Sequence, residues 1–108
     1  MQNGASIHVM DWYGNTPAHL AAFPGDVDTM WVLIAAGSDF HAKGAYGKTI
    51  LHRAIGNRKG VLEYLLRQEG VREIIHLEDN NGRTPLHLAK LVGQWKAAER
   101  LVELAVNT

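Results

Sequence analysis

The sequence predicts an all-α repeat, a solenoid of stacked helix-turn-helix units joined by outward β-hairpin-type turns, and three observations carry that reading. An octapeptide recurs: Gly14-Asn15-Thr16-Pro17-Ala18-His19-Leu20-Ala21, Gly47-Lys48-Thr49-Ile50-Leu51-His52-Arg53-Ala54 and Gly82-Arg83-Thr84-Pro85-Leu86-His87-Leu88-Ala89. Its threonines are 33 and 35 residues apart, a period at which small helical units stack into an array. Between the copies lie pairs of short apolar segments with helical spacing, broken by glycines.

The first ten residues correspond to the segment that closes a later unit, Gly4 to Asp11 matching Gly37 to Gly44, so 1–10 reads as the end of a preceding repeat. A full unit, 11–43, follows. Gly14 supplies its turn, Thr16 is placed to cap a helix and Pro17 to begin it. Ala18, Leu20, Ala21 and Ala22 make that helix narrow enough for close stacking. Gly25 breaks it, and a second helix over 27–36 turns Met30, Leu33 and Ile34 inward until Gly37 ends it.

The second unit, 44–78, repeats the plan with Leu51, Ala54 and Ile55 inward on one helix and Val61, Leu62, Leu65 and Leu66 on the next. It is the irregular one. Ile50 stands where proline begins the other helices, the turn over 57–60 is about one residue short, and Gln68 to Ile74 is about three long, an insertion expected in a surface connection. The third unit, 79–108, uses Thr84 and Pro85 as cap and first residue, ends in a helix from about Trp95 to Val106, and is incomplete. Ala98, Leu101, Val102 and Leu104 keep an apolar pattern to the end without a polar capping face. The expectation is one domain, 1–108, that forms a segment of a longer array.

In these residues the chain resembles the ankyrin-repeat family, whose signature is T-P-L-H-x-A at a period near 33. The third copy matches throughout, the first replaces leucine by Ala18, and the second replaces proline by Ile50. The resemblance implies an ankyrin-like solenoid that binds a protein partner through its turn tips and first-helix face and does no chemistry of its own. It also implies the alternative of a regulatory or positioning segment within a larger enzyme or channel.

Composition sets the outer bounds. Eleven basic and eleven acidic residues balance, with acids interleaved among Arg58, Lys59, Arg67 and Arg72, so nucleic acid is not an expected partner. The chain has no cysteine, hence no disulfide framework or thiolate metal site. No apolar run approaches the roughly 20 residues of a membrane span, and the N-terminus lacks a secretory pattern. An intracellular setting, cytoplasmic or nuclear, is expected, as a monomer or part of a longer chain.

The six histidines form two columns, His19, His52 and His87 after the capping threonines and His8, His41 and His76 in the outward turns. Layers roughly 8 to 10 Å apart keep equivalent histidines from sharing a metal, so the first column is expected to hydrogen-bond near the Thr-Pro turn. No His-Glu-x-x-His pair, nucleophile elbow or cysteine nucleophile is present. Gly44 to Thr49 ends like a phosphate-binding loop, but Ala42 stands where its first glycine is required. No catalytic residue, cofactor or metal site is expected.

The expected partner-binding residues are Trp12 and Tyr13 at the first tip, Phe23 and Pro24 at the end of the first short helix, Tyr46 at the second tip, and Asn80, Asn81 and Arg83 at the third. The alternative has Trp12 or Tyr13 folding back over the turn, or Phe23 packing under a missing neighbour. His41 is a candidate hydroxylation site by resemblance to the ankyrin turns modified by the asparaginyl hydroxylase that inhibits hypoxia-inducible factor. Leu33 lies eight residues upstream of it and Asp39 two, although asparagine is usual at the target position.

Overall fold

A computed structural model of the protein describes residues 10–39, 41–57 and 59–106. The expected preceding-repeat segment before residue 10, with His8, and also Phe40, Arg58, Asn107 and Thr108 lie outside them. Among the described residues six α-helices form three pairs: α1 (Pro17–Ala22) with α2 (Val27–Ala35), α3 (Ile50–Ala54) with α4 (Val61–Leu66), and α5 (Pro85–Leu91) with α6 (Trp95–Val106). The short first helices stack as α1, α3, α5 and the second helices as α2, α4, α6. Among the described residues no helix is long and apolar enough to cross a membrane.

Each first helix starts where its threonine ends extended backbone. Thr16, Thr49 and Thr84 each accept the backbone N–H of the histidine three residues on, at 3.4, 3.4 and 3.2 Å. His19 and His52 answer by accepting the threonine N–H on Nδ1, at 3.0 and 3.1 Å, which completes a capping box with histidine in place of the usual glutamate. Proline at the first helical position is therefore dispensable. Ile50 occupies it in α3 and is fully buried.

The core runs between the layers through Ala18, Ala21, Ala22 and Met30, then Leu51, Ala54, Val61 and Leu65, then Ala89, Ala97, Ala98 and Leu101. Alanines on the first helices let the backbones approach closely, and the larger residues of the second helices fill the remaining width. Leu33, Ile34, Leu62 and Leu104 are only half-buried, and Val102 is exposed.

One expectation needs correction. The insertion in the second unit is not a plain surface connection: Glu69–Glu73 winds into a 3₁₀ turn, and Val71, Ile74 and Ile75 are buried in the core beside α4. Three apolar residues at this spacing give the extra segment its own inward face, so burial outweighs the preference of insertions for solvent. The outward turns, for their part, contain no β-strand among the described residues. Each tip is closed by two backbone bonds, Gly14 N–H to Asp11 O and Asp11 N–H to Asn15 O in the first, with the same pair between Gly44, Gly47 and Lys48 and between Asp79, Gly82 and Arg83.

Candidate functional site

The three tips share a closure but differ inside it. In the first, Asp11 Oδ1 accepts the N–H groups of Tyr13 and Asn15, both at 2.9 Å. In the third, Asp79 Oδ1 accepts those of Asn81 and Arg83, at 2.9 and 3.0 Å. The Asn15 N–H, helped by that of Tyr13, holds the Asp11 carboxyl below the usual carboxylate range. Burial pushes Asp79 up, but the N–H groups of Arg83 and Asn81 and the Lys48 ammonium, 3.6 Å from Oδ2, outweigh it and leave that carboxyl low as well. Both acids are thus structural anchors of their turns.

The middle tip has Gly44 in that place, because the first tip has taken the space. Asn15 is buried and its Oδ1 accepts the Ala45 N–H at 2.9 Å. A Cβ on residue 44 would lie 2.5 Å from the same oxygen and 3.1 Å from the His19 ring. Without a carboxylate to hold it, the tip winds into a 3₁₀ turn over Ala45–Gly47, and Tyr46 adopts a left-handed φ of 61°. Tyr46 alone among the described non-glycine residues does so, a conformation that costs about 1 kcal/mol or more outside glycine. Its carbonyl accepts the Asn80 N–H of the third tip at 2.9 Å. The tips are therefore chained together, by a side-chain oxygen at the first junction and a main-chain oxygen at the second.

On this frame the aromatic side chains point to solvent. Trp12 is 99% exposed, Tyr13 74% and Tyr46 70%, so Trp12 and Tyr13 do not fold back over the turn. Asn80 and Asn81 are exposed and Arg83 is half-buried. Phe23 and Pro24, also exposed, are placed at the other end of α1, in a depression shared with Gly56, Asn57 and Lys59 that none of the tip residues lines.

Several residues that hold this surface in shape were not singled out by the sequence. Arg53 stands at the variable position of the octapeptide, where the other copies have Leu20 and Leu88. Its guanidinium reaches back to the first layer and donates to His19 O at 2.8 Å and Phe23 O at 2.5 Å, capping the carbonyl end of α1. Asn57 Nδ2 donates to Ala22 O and Gly25 O, each at 2.9 Å. Lys43 donates to Glu78 O at 2.8 Å. An arginine replacing leucine in a repeat was the available signal for the first of these.

The first histidine column also ties layer to layer. With Nδ1 accepting from threonine, the proton sits on Nε2, which donates to Ala42 O at 3.1 Å from His19 and to Arg83 O at 2.7 Å from His52. Burial pushes both imidazoles below the usual histidine range. His87 is exposed. In the other column His41 is exposed, its Nε2 2.7 Å from Glu73 and its Nδ1 3.5 Å from Asp39. No group of three His, Cys, Asp or Glu side chains suited to a metal occurs among the described residues.

Away from the tips, Arg100 on α6 donates to both oxygens of Glu63 on α4, at 2.9 and 2.6 Å. Arg67 and Glu103 extend this solvated network along the second helices. By contrast α2 exposes Trp31 and Val32.

The chain matches a family model described as "Ankyrin repeats (3 copies)" over residues 1–76 and 19–108. It is similar to Rabankyrin-5 of Mus musculus, 36% identical over 90 residues that cover 83% of this chain and 8% of that protein. The E3 ubiquitin-protein ligase KEG of Arabidopsis thaliana is 28% identical over 109 residues, 97% of this chain and 7% of the ligase. The Transient receptor potential cation channel subfamily A member 1 of Homo sapiens is 28% identical over 89 residues, 80% of this chain and 8% of the channel. The chain thus spans less than a tenth of the length of each of these relatives.

Proposed function

The chain belongs to the ankyrin-repeat family, and from that premise we propose that it is a non-enzymatic protein-interaction module that engages a protein partner through its turn tips and first-helix face. The observation that carries this reading is the exposure of Trp12, Tyr13 and Tyr46 on tips that are hydrogen-bonded to one another. Large aromatics held in water by a rigid frame contribute nothing to the core and are the usual anchors of protein interfaces. Among the described residues, His19 and His52, of the side chains best suited to acid-base work, are buried as neutral ties between layers, and His41 lies in an exposed turn.

A second reading, a regulatory or positioning segment of a larger enzyme or channel, is supported by the relatives, which include a ubiquitin ligase and a cation channel that it would cover only in small part. The two readings make the same prediction at the tips. Affinity capture with the wild-type chain and with Trp12→Ala and Tyr46→Ala variants, followed by binding measurements on the recovered partner, tests the surface. Variants that are folded by circular dichroism should lose the partner by severalfold or more. Equal recovery by both would place the interface elsewhere.

A further inference from the structure

We infer that copies of this chain stack head to tail, the third repeat of one on the first repeat of the next, through the same kind of junction that joins the repeats within it. Tips aside, the exposed large apolar residues are divided between the two ends. Leu20, Trp31 and Val32 belong to the first repeat and Leu91, Trp95 and Val102 to the third, whereas the described residues of the middle repeat contribute none. A middle layer covered on both sides between two layers each open on one is what units that bury their apolar faces by stacking should show.

Position by position, the two ends are the two halves of one junction. Pro85, Ala97 and Leu101 of the third repeat are buried, as is Ile50 of the second. Their counterparts in the first repeat, Pro17, Thr29 and Leu33, are half-buried or exposed and line an open depression with Leu20 and Met10. At the other end the relation is reversed. His19 and Ala22 of the first repeat and His52 and Ile55 of the second are buried, while His87 and Lys90 of the third are exposed. Trp95 and Val102 line a second open depression beside Lys90. A lysine at such a place can cover apolar surface with its stem while its ammonium stays in water.

Each end also carries a polar group that the internal junctions satisfy. His19 and His52 donate from Nε2 to the carbonyls of Ala42 and Arg83, at the tip that follows, and the N–H groups of Ala45 and Asn80 donate to the tip before. The His87 ring and the Trp12 N–H, at the corresponding positions, have no partner among the described residues. Stacked head to tail, His87 Nε2 of one copy meets Asn15 O of the next, which corresponds to Arg83 O. Trp12 N–H of the next copy meets Asn81 O, which corresponds to Tyr46 O. A second copy thus supplies both the apolar cover and the missing acceptors, and the contact, being heterologous, does not stop at two copies.

Sedimentation equilibrium of the whole chain, from low micromolar to millimolar concentration, tests this. The weight-average mass should rise with concentration and pass that of two copies. Thr29→Glu puts a charge where Ala97 is buried in the internal junction, and Val102→Glu puts one on the opposite face; both sites are exposed in the single chain. Each variant alone should stay monomeric, and an equimolar mixture should form a dimer that grows no further, since each supplies the face that the other has lost. Leu20→Arg, which copies Arg53, should tighten association severalfold by donating to the carbonyls of His87 and Leu91 in the preceding copy, the counterparts of His19 O and Phe23 O. An unspecific apolar contact would instead be weakened by the added charge. Trp12→Ala keeps its main-chain N–H and should associate as the wild type does, so the loss of a partner at the tips and a failure of stacking are separate results. A wild-type chain that stays monomeric at millimolar concentration, a mixture of folded variants that does not dimerise, or a Leu20→Arg chain that associates more weakly would each overturn the proposal. Should either glutamate variant fail to fold in thermal melts, the wild-type mass and Leu20→Arg still decide it.

Discussion

Asn15 and Gly44 exclude one another's alternatives: the Asn15 carboxamide oxygen that accepts the Ala45 N–H would lie 2.5 Å from any Cβ at residue 44. One buried side chain thus sets the residue type, the backbone of the next tip and, through Tyr46, the junction after that.

The first prediction follows from this pair. Gly44→Asp would make the second tip match Asp11 and Asp79, yet it should destabilise the protein by about 1–3 kcal/mol, because the site is overpacked before the new carboxylate can reach its turn. Combined with Asn15→Ala, the cost should be less than the sum of the two single changes, since Asn15→Ala removes the oxygen that the new Cβ would meet. Urea denaturation of the four proteins measures the coupling.

Arg53→Leu restores the residue type of Leu20 and Leu88 and should nevertheless cost about 1–2 kcal/mol, because the carbonyls of His19 and Phe23 lose a charged donor. Arg53→Lys should not recover the loss, as one ammonium cannot span two carbonyls in the guanidinium's fork geometry. Thermal melts of both variants check it.

Stability should fall as pH drops below the ordinary histidine value of 6.5. Burial lowers the folded-state pKa of His19 and His52, so the unfolded chain binds more protons in this window and acid favours unfolding. The stabilisation is complete above pH 6.5 and is lost as pH falls toward the lowered folded values. Chemical denaturation from pH 8 to 5 should show this slope, and His52→Gln should flatten it.

Ile74→Ala, in the insertion, should cost about 2–5 kcal/mol, as expected of a fully buried residue in a core. Thr84→Ala should cost about 1 kcal/mol by removing a helix cap. If the insertion were a solvent-exposed loop, the order of the two effects would reverse under equilibrium unfolding.

The fold was largely legible because its determinants are local. A threonine ending extended backbone, a histidine three residues later and small apolar residues at helical spacing specify each first helix within a few positions, and their repetition specifies the stack. The exposure expected of Trp12, Tyr13 and Tyr46 was legible for the same reason, since the tips lie where the helical pattern leaves no inward place. What escaped were groups whose partners lie one repeat away. Arg53 and Asn57 look like ordinary surface residues until the carbonyl end of α1 is set beside them, 30 to 35 residues back along the chain.

The sequence by itself determined the repeat, the helix starts and the family, because these depend on residue types within one turn of helix. The tertiary structure alone decided which polar groups tie the layers, why residue 44 is glycine, why Tyr46 is strained and that the insertion belongs to the core. The physical reason is that stacking brings backbone donors and acceptors of one unit against side chains of the next, where buried polar groups must find partners and two atoms cannot share one volume.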